Sequence, residues 1–532
     1  MSQFFDQASL VMVPSGYKDG KVYSQKPLST DGELTFSRAT SATRVGPDGL
    51  IEKVRTNLQQ RSEQFEAWLN TNFTVTLNYT TAPNGTLTAD RFISTSSTCY
   101  SYYNSGQTVG ITYTISVWAK RNDAGTQIFG FFTNGSGGMD SPMALTNEWQ
   151  RFSYTYTAIN TSTWGLSASA SGADVSVWGF QAEISDFGAT DYIATTTAAV
   201  SVGPVSGLPR LDYLGSSCGK LLLEGQRTNL LTYSNYDASL WSQTNASVSI
   251  NTAISPDGYQ NAHTATRTSS SNVRVGVAVF TGTVGQPYTD SIYLRKVSGS
   301  GVVSIKDINN TPTEFTLTNE WQRYSLTASS AAATLRLYVD MNADGDVIEF
   351  WQGQIEQGSY ATSIIPTLGS AVTRLADSAS KTGISSLIGQ TEGTIYWEGY
   401  IDVSRANYGY FPRLSMIGDG TSANFAGVLL TQVNQLTTRF IVSNVNQATI
   451  THNLTTSGTY KIAFAYKQND FVLYVNGVNV GSDNSGNVVG LSRFYIGGEI
   501  GDGTTPPSHP TSQALLFPTR LTNAKLAELT TL

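Results

Sequence analysis

The side chains with the clearest chemical use in this chain are aromatic and acidic. Trp118 and Tyr293 stand on runs whose alternate positions are apolar, so strand parity turns them to the opposite face. A flat ring there can stack against a sugar, whose C–H face is drawn to the π cloud. The same ring can equally be covered by a neighbouring loop or subunit, and parity fails wherever a bulge intervenes. Tyr100, Tyr102 and Tyr103 crowd a polar stretch and suit either the rim of a glycan site or a subunit contact. Asp340-x-Asn342-x-Asp344-Gly345-Asp346 has the oxygen spacing and the glycine of a calcium loop. Trp351 stands where its closing glutamate belongs, and an acidic turn ahead of a strand is the competing reading. A calcium ion bound there would be structural.

Catalytic patterns are missing by comparison. His263, His452 and His509 are isolated, and neither Gly-x-Ser-x-Gly, His-Glu-x-x-His nor a phosphate-binding loop occurs. A glycosidase needs only two carboxylates, and 39 acidic residues allow many pairs, but acids in so polar a chain are usually solvated. The expectation is a protein that binds and does not catalyse.

The elements that must position these residues are duplicated. Arg55-Thr-Asn-Leu58 returns as Arg227-Thr-Asn-Leu230, and Leu145-Thr-Asn-Glu-Trp-Gln-Arg151 as Leu317-Thr-Asn-Glu-Trp-Gln-Arg323, both 172 residues later. Trp178-x-x-Gln181-x-Glu183 answers to Trp351-x-x-Gln354-x-Glu356 at 173. Small slips within a fixed spacing are what loop insertions in a duplicated domain produce. Ile111 to Lys120 alternates strictly, with Ile111, Tyr113, Ile115, Val117 and Ala119 on one face, and Phe152, Tyr154 and Tyr156 alternate likewise. Ile292, Leu294, Tyr324 and Leu326 repeat the pattern. Such strands, separated by Gly, Asn and Ser turns, predict two-sheet jelly-roll sandwiches, with Trp149 and Trp321 as corner residues of their cores. The copy at 227–372 alone carries the acidic turn, which favours it as the binding copy.

Composition agrees with an all-β, neutral-surfaced protein: 13% charged residues, 11% aromatic and 40% hydrophobic, with a net charge of −7. That balance offers nothing to a nucleic-acid backbone. Cys99 and Cys218 have no partner at metal or disulfide-framework spacing. The N-terminus lacks a secretory pattern, and no apolar run reaches the ~18 residues needed to span a membrane. Four segments follow: an extended N-terminal arm over 1–54, a first jelly-roll over 55–202, a lead-in and second jelly-roll over 203–372, and a further sandwich over 373–532. In the last, Asn476-Gly477 predicts a type I′ hairpin, and Leu521 to Leu529 predicts a short helix.

Three groups of residues carry a resemblance. Ala8-Ser-Leu-Val-Met-Val-Pro-Ser-Gly-Tyr17, Phe36-Ser-Arg-Ala-Thr-Ser-Ala-Thr-Arg-Val45 and Gly49-Leu-Ile-Glu52 resemble the N-terminal region of bacteriophage virion fibre and head-decoration proteins. Leu223-Glu-Gly-Gln-Arg-Thr-Asn-Leu-Leu231 and Gly358 through Arg374 are similar to the borders of carbohydrate-binding jelly-roll modules. Tyr460-Lys-Ile-Ala-Phe464, Leu473-Tyr-Val-Asn-Gly477 and Leu521-Thr-Asn-Ala-Lys-Leu526 resemble a concanavalin A-like, laminin-G-like sandwich. The first jelly-roll departs from the border pattern, with Ala194 for Pro366 and Val202 for Arg374. The resemblance implies a virion subunit, of head or tail, that attaches to other virion proteins by its arm, oligomerises and displays domains for cell-surface or mucosal glycans. A purely architectural subunit and a glycan-degrading spike enzyme are the alternatives.

Overall fold

The computed structural model describes residues 2–103, 106–123, 128–133, 138–269, 273–279, 281–403, 412–432, 434–497 and 509–532. They form two units. One is Val54–Gly203, and the other joins Met1–Lys53 to Pro204–Leu532. Nearly all regular structure is antiparallel β, as the alternating patterns require.

Val54–Gly203 is a sandwich of two five-stranded sheets. One runs Gln150–Thr157, Thr112–Arg121, Asp174–Ile184, Ala89–Ser94, Phe73–Thr80, and the other Ser141–Pro142, Phe129–Phe132, Gly165–Ala168, Cys99–Tyr102, Leu69–Thr71. Tyr113, Ile115, Val117 and Ala119 face its core together with Cys99, Phe92 and Trp164, so the parity read from sequence holds. Arg55–Asn57 and Val200–Val202 pair to close the ends of the unit.

The second jelly-roll repeats this plan with strands in matching order, and Arg227–Asn229 paired to Val372–Arg374 closes it. Its core includes Tyr288, Ile292, Leu294 and Phe350. The C-terminal sandwich packs an eight-stranded sheet on a nine-stranded one around Trp397, Phe440 and Phe464. Its Asn476-Gly477 turn has φ of 48° and 84°, as a type I′ hairpin demands, and Asn523–Thr530 is helical behind a Thr522 cap. No helix among the described residues is long and apolar enough to cross a membrane.

The arm and the domain limits need correction. Leu10–Met12 pairs with Thr511–Phe517, and Glu33–Ser37 pairs with Ser378–Thr382, so residues expected to stand apart supply strands to both sheets of the C-terminal sandwich. Leu10, Met12, Val22, Leu34 and Phe36 lie in its core. The lead-in behaves alike: Lys220–Leu222 pairs with Arg210–Asp212 and reaches Thr511. These runs are too short to show periodicity, and pairing with strands at 378–382 and 511–517, hundreds of residues away, places them in the C-terminal sheets.

A buried ionic cluster fastens these pieces. Arg38 and Arg210 both bond Asp377, while Arg210 and Arg374 bond Glu224 at 2.8 and 2.6 Å. Burial pushes the Glu224 carboxyl up, but Arg374 and Arg210 more than offset this and hold it well below the usual carboxylate range. Three guanidiniums share two carboxylates with no side chain above 3% exposed. In the first copy Val202 and Glu52 stand at the places of Arg374 and Glu224, and Glu52 pairs with Arg44.

Candidate functional site

The duplicated motifs turn out to be scaffolding. Asn57 is fully buried: its amide donates to the carbonyls of Phe180 and Ile193, and its oxygen accepts from the amides of Ala182 and Gln59. Asn229 makes the same four bonds to Gly353, Ile365, Ile355 and Leu231. Glu183 and Glu356 each take the backbone N–H and hydroxyl of a threonine, Thr190 or Thr362, and Gln181 and Gln354 donate to them at 2.9 and 2.7 Å. One asparagine thus ties the start of each domain to the strand that carries its Trp-x-x-Gln-x-Glu motif and to its exit. That strand carries a bulge with Gly179 at φ 67° or Gln352 at φ 48°, which turns Trp178 and Trp351 out of the cores on either side of them.

Two aromatic patches result, one on the outer face of each copy. In the first, Trp118 lies with Trp178, Trp149, Tyr192, Ala82 and Ala89. Trp149 and Trp321 are therefore not core corners. Each donates its indole N–H to a turn carbonyl, Thr81 or Ile254, at 3.0 Å, and lies beneath a cation, Lys120 or Arg295, at 5.1 or 4.8 Å. In the second copy Tyr293 joins Trp351, Trp321 and Ile364, but Val45 and Ile51 of the N-terminal segment pack over them. Burial holds the Tyr293 phenol above its ordinary range. Only about 120 Å³ remains beside it, well below the few hundred that a ligand pocket needs. The parity of Trp118 and Tyr293 is right, but the Tyr293 face is occupied by polypeptide.

Tyr100 and Tyr102 lie on the other sheet. Their rings stack at 6.2 Å with planes 25° apart, and both meet Phe132 edge-on at 6.4 and 6.2 Å. Both tyrosines are partly exposed. The register sets Ser167 directly beside Tyr100, hence on the same face. Its hydroxyl is buried and has no hydrogen-bond partner, and Gly130 beyond it contributes no side chain. Tyr103 is not part of this face. It packs toward the first core and accepts from Arg61 Nε at 3.3 Å.

The equivalent face of the second copy holds the acidic residues. Arg274 pairs with Thr244 and Asp340 in register, as Tyr100 does with Thr71 and Ser167. Asp340 bonds Arg274 at 2.6 Å and Lys306 at 2.9 Å, and Arg274 lies over Tyr338 at 4.6 Å. The rest of the presumed calcium loop points elsewhere. Asn342 bonds Ser304, Asp344 bonds Arg267, and Asp346 accepts from the amides of Ala343, Ser300 and Gly301. These oxygens share no centre. Among the described residues no three His, Cys, Asp or Glu side chains converge to hold a metal. Sequence spacing alone does not distinguish a calcium loop from a turn whose acids serve arginines on neighbouring strands.

A wider cleft of about 1030 Å³ opens on the C-terminal sandwich, lined by Phe4, Tyr396, Glu398, Lys461 and Leu529. Within it Tyr396 donates to Glu398 at 2.8 Å and Lys461 to the Thr531 carbonyl at 2.9 Å. Cys99 is buried in the first core, and Cys218 is exposed at this cleft.

No protein-family model and no curated protein matches the chain. Among solved structures it is similar to the CBM40 of a Ruminococcus gnavus IT-sialidase bound to α2,3-sialyllactose, at 15% identity and a TM-score of 0.24 over 28% of this chain and 91% of that one. It is also similar to the tandem CBM22-1–CBM22-2 of Paenibacillus barcinonensis Xyn10C, at 12% identity and a TM-score of 0.21, covering 57% and 97%. A Trypanosoma rangeli sialidase matches at 17% identity and a TM-score of 0.23, covering 28% of this chain and 25% of its own. At these scores the similarities carry no argument about ligand or activity.

Proposed function

We propose that the first jelly-roll is a glycan-binding module, with Tyr100 and Tyr102 as its platform. The observation that carries this reading is the pair of partly exposed, nearly parallel rings beside the unpartnered, buried Ser167 hydroxyl. Stacked rings supply apolar surface for a pyranose face, and a buried hydroxyl without a partner favours a ligand that brings one. The second copy does not share this property, because Arg274, Asp340 and Lys306 satisfy one another on the same face. The module binds without catalysis.

The wider setting is a virion subunit, fibre or decoration, exposed on the particle surface. That reading rests on the resemblance of residues 8–17, 36–45 and 49–52 and on nothing in the fold. Weak sites of this kind work through avidity when many copies sit on one particle. A glycan array with the full chain, followed by titration of the best glycan against Tyr100→Ala and Tyr102→Ala, tests the site. Unchanged affinity in both variants removes these residues from it, and a flat array leaves the architectural reading.

A further inference from the structure

The covered face of the second copy shows what its open counterpart is shaped for. Residues 44–52 form a hairpin, with Arg44 paired to Glu52 and Val45 to Ile51, around the Pro47-Asp48-Gly49 turn. It docks on the second jelly-roll through four kinds of contact. Val45 and Ile51 pack on Trp351, Tyr293, Trp321 and Ile364. The Ile51 amide donates to the Pro256 carbonyl at 2.9 Å, the Thr43 hydroxyl donates to the Ile364 carbonyl at 2.6 Å, and Lys53 pairs with Asp257 at 2.8 Å.

The first copy reproduces this receiving surface. Trp118, Trp149, Trp178, Tyr192 and Ala89 stand where Tyr293, Trp321, Trp351, Ile364 and Ala262 do. The turn that offers Pro256 is reproduced as well. Ser255 to Tyr259 and Ala82 to Thr86 close with the same two backbone bonds, and Gly258 and Gly85 take φ of 82° and 85°. Pro83 therefore holds the place of Pro256 and Tyr192 that of Ile364. Trp118, Trp149 and Tyr192 remain partly exposed, and the patch consists of residues from its own unit. The chain's own hairpin is already engaged on the second copy.

We propose that the Trp118 face of the first jelly-roll is a docking site for a β-hairpin carried by a partner polypeptide. The hairpin would present two branched aliphatic side chains, one from each strand, to Trp118 and Trp178, with its edge amide on the Pro83 carbonyl. Asn84 replaces Asp257, so the partner needs no lysine at the place of Lys53, and docking depends little on salt. This site is separate from the Tyr100 platform and stands or falls independently of it.

The probe is a head-to-tail cyclic peptide of residues 43–53 with a photoreactive leucine at position 51, mixed with the full chain. Cyclisation is needed because an isolated hairpin is marginally stable in water. Expected is saturable labelling of residues around 82–89, 118, 149 and 192. It should fall by about tenfold or more in Trp118→Ala and stay within about threefold in Trp118→Tyr, which restores the residue type of the second copy. Retention in Trp118→Tyr guards against misreading a misfolded variant. No labelling at millimolar peptide, labelling confined to the second copy, or equal labelling of wild type and Trp118→Ala overturns the proposal. So does a dimer of this chain that excludes the peptide and is lost in Trp118→Ala, because the face then belongs to a second copy.

Discussion

Tyr100 lies opposite Ser167 in the first jelly-roll as Arg274 lies opposite Asp340 in the second. One backbone position in a duplicated sheet thus carries an aromatic beside an unpartnered hydroxyl in one copy and half of an ion pair in the other. Tyr100 and Tyr102 of the first copy and Asp340 of the second thus lie on equivalent faces of one fold. The copies carry different side chains on the same scaffold.

Grafting the second face onto the first tests this equivalence. Tyr100→Arg with Ser167→Asp recreates the Arg274–Asp340 pair, so the domain keeps its fold and thermal transition. Its glycan affinity falls by about tenfold or more, the loss expected when a stacking contact worth about 1.4 kcal/mol is removed. Circular dichroism and titration of the double variant read the two outcomes separately.

Asp290 is fully buried with both carboxylate oxygens unpartnered, on the core-facing side between Tyr288 and Ile292. Burial raises its pKa well above the ordinary value, with Asp307 adding to the effect, so folding favours its neutral form. The unfolded chain releases that proton near pH 4, and the contribution of Asp290 to the stability of the second jelly-roll falls as pH rises from there toward the folded pKa, by up to about 1.4 kcal/mol per pH unit. Asp290→Val removes this slope and stabilises the domain at pH 7 by about 2 kcal/mol. Hydrogen exchange at pH 5 and pH 7 measures both, and a less protected variant counts against the assignment.

Asp90 and His263 occupy one position in the two copies and cap equivalent amides, those of Asn78 at 2.9 Å and Asn251 at 3.3 Å. Burial pushes Asp90 up to about 6 and His263 down to about 4. The signs oppose. The first jelly-roll loses stability as pH rises from about 4 to 6, because only its unfolded form releases the Asp90 proton. His263 contributes the opposite slope to the second, because only its unfolded form binds a proton there between about pH 4 and 6.5, and this runs against the Asp290 contribution in the same window. Domain-resolved hydrogen exchange across this window shows a falling slope in the first that Asp90→Asn flattens, while the second rises with pH once Asp290→Val has removed the opposing contribution.

Asp377→Asn leaves Arg38 and Arg210 buried without full countercharge, a loss of about 3–5 kcal/mol. Melting should move early for the unit built from Met1–Lys53 and Pro204–Leu532, while protection of residues 55–202 is unchanged. High salt does not mimic the variant, since buried pairs are poorly screened. Equal loss of protection in both units would disprove the assignment of this cluster to one of them.

The all-β class, the duplication and the facing of the long strands can be read from residue order, because alternation over eight or more residues records which side is buried. Val117 and Trp118 were legible in that way, as were the Asn476-Gly477 turn and the helix behind Thr522. Tertiary structure alone decided three things. Strands as short as Leu10–Met12 acquire their identity from Leu516 and its neighbours, far along the chain, and no local pattern marks them. The Arg-Thr-Asn-Leu and Trp-x-x-Gln-x-Glu signatures read as repeats, but Asn57 and Asn229 are there to satisfy backbone groups brought together only by folding. The surroundings of the second copy's candidate residues are decided in the same way. Asp340 and Asp344 are taken up by basic side chains and Asp346 by backbone amides, and Tyr293 is covered by Val45 and Ile51, a hairpin almost 250 residues earlier. Exposure and pairing are properties of surfaces, and a surface is assembled from segments that the sequence keeps apart.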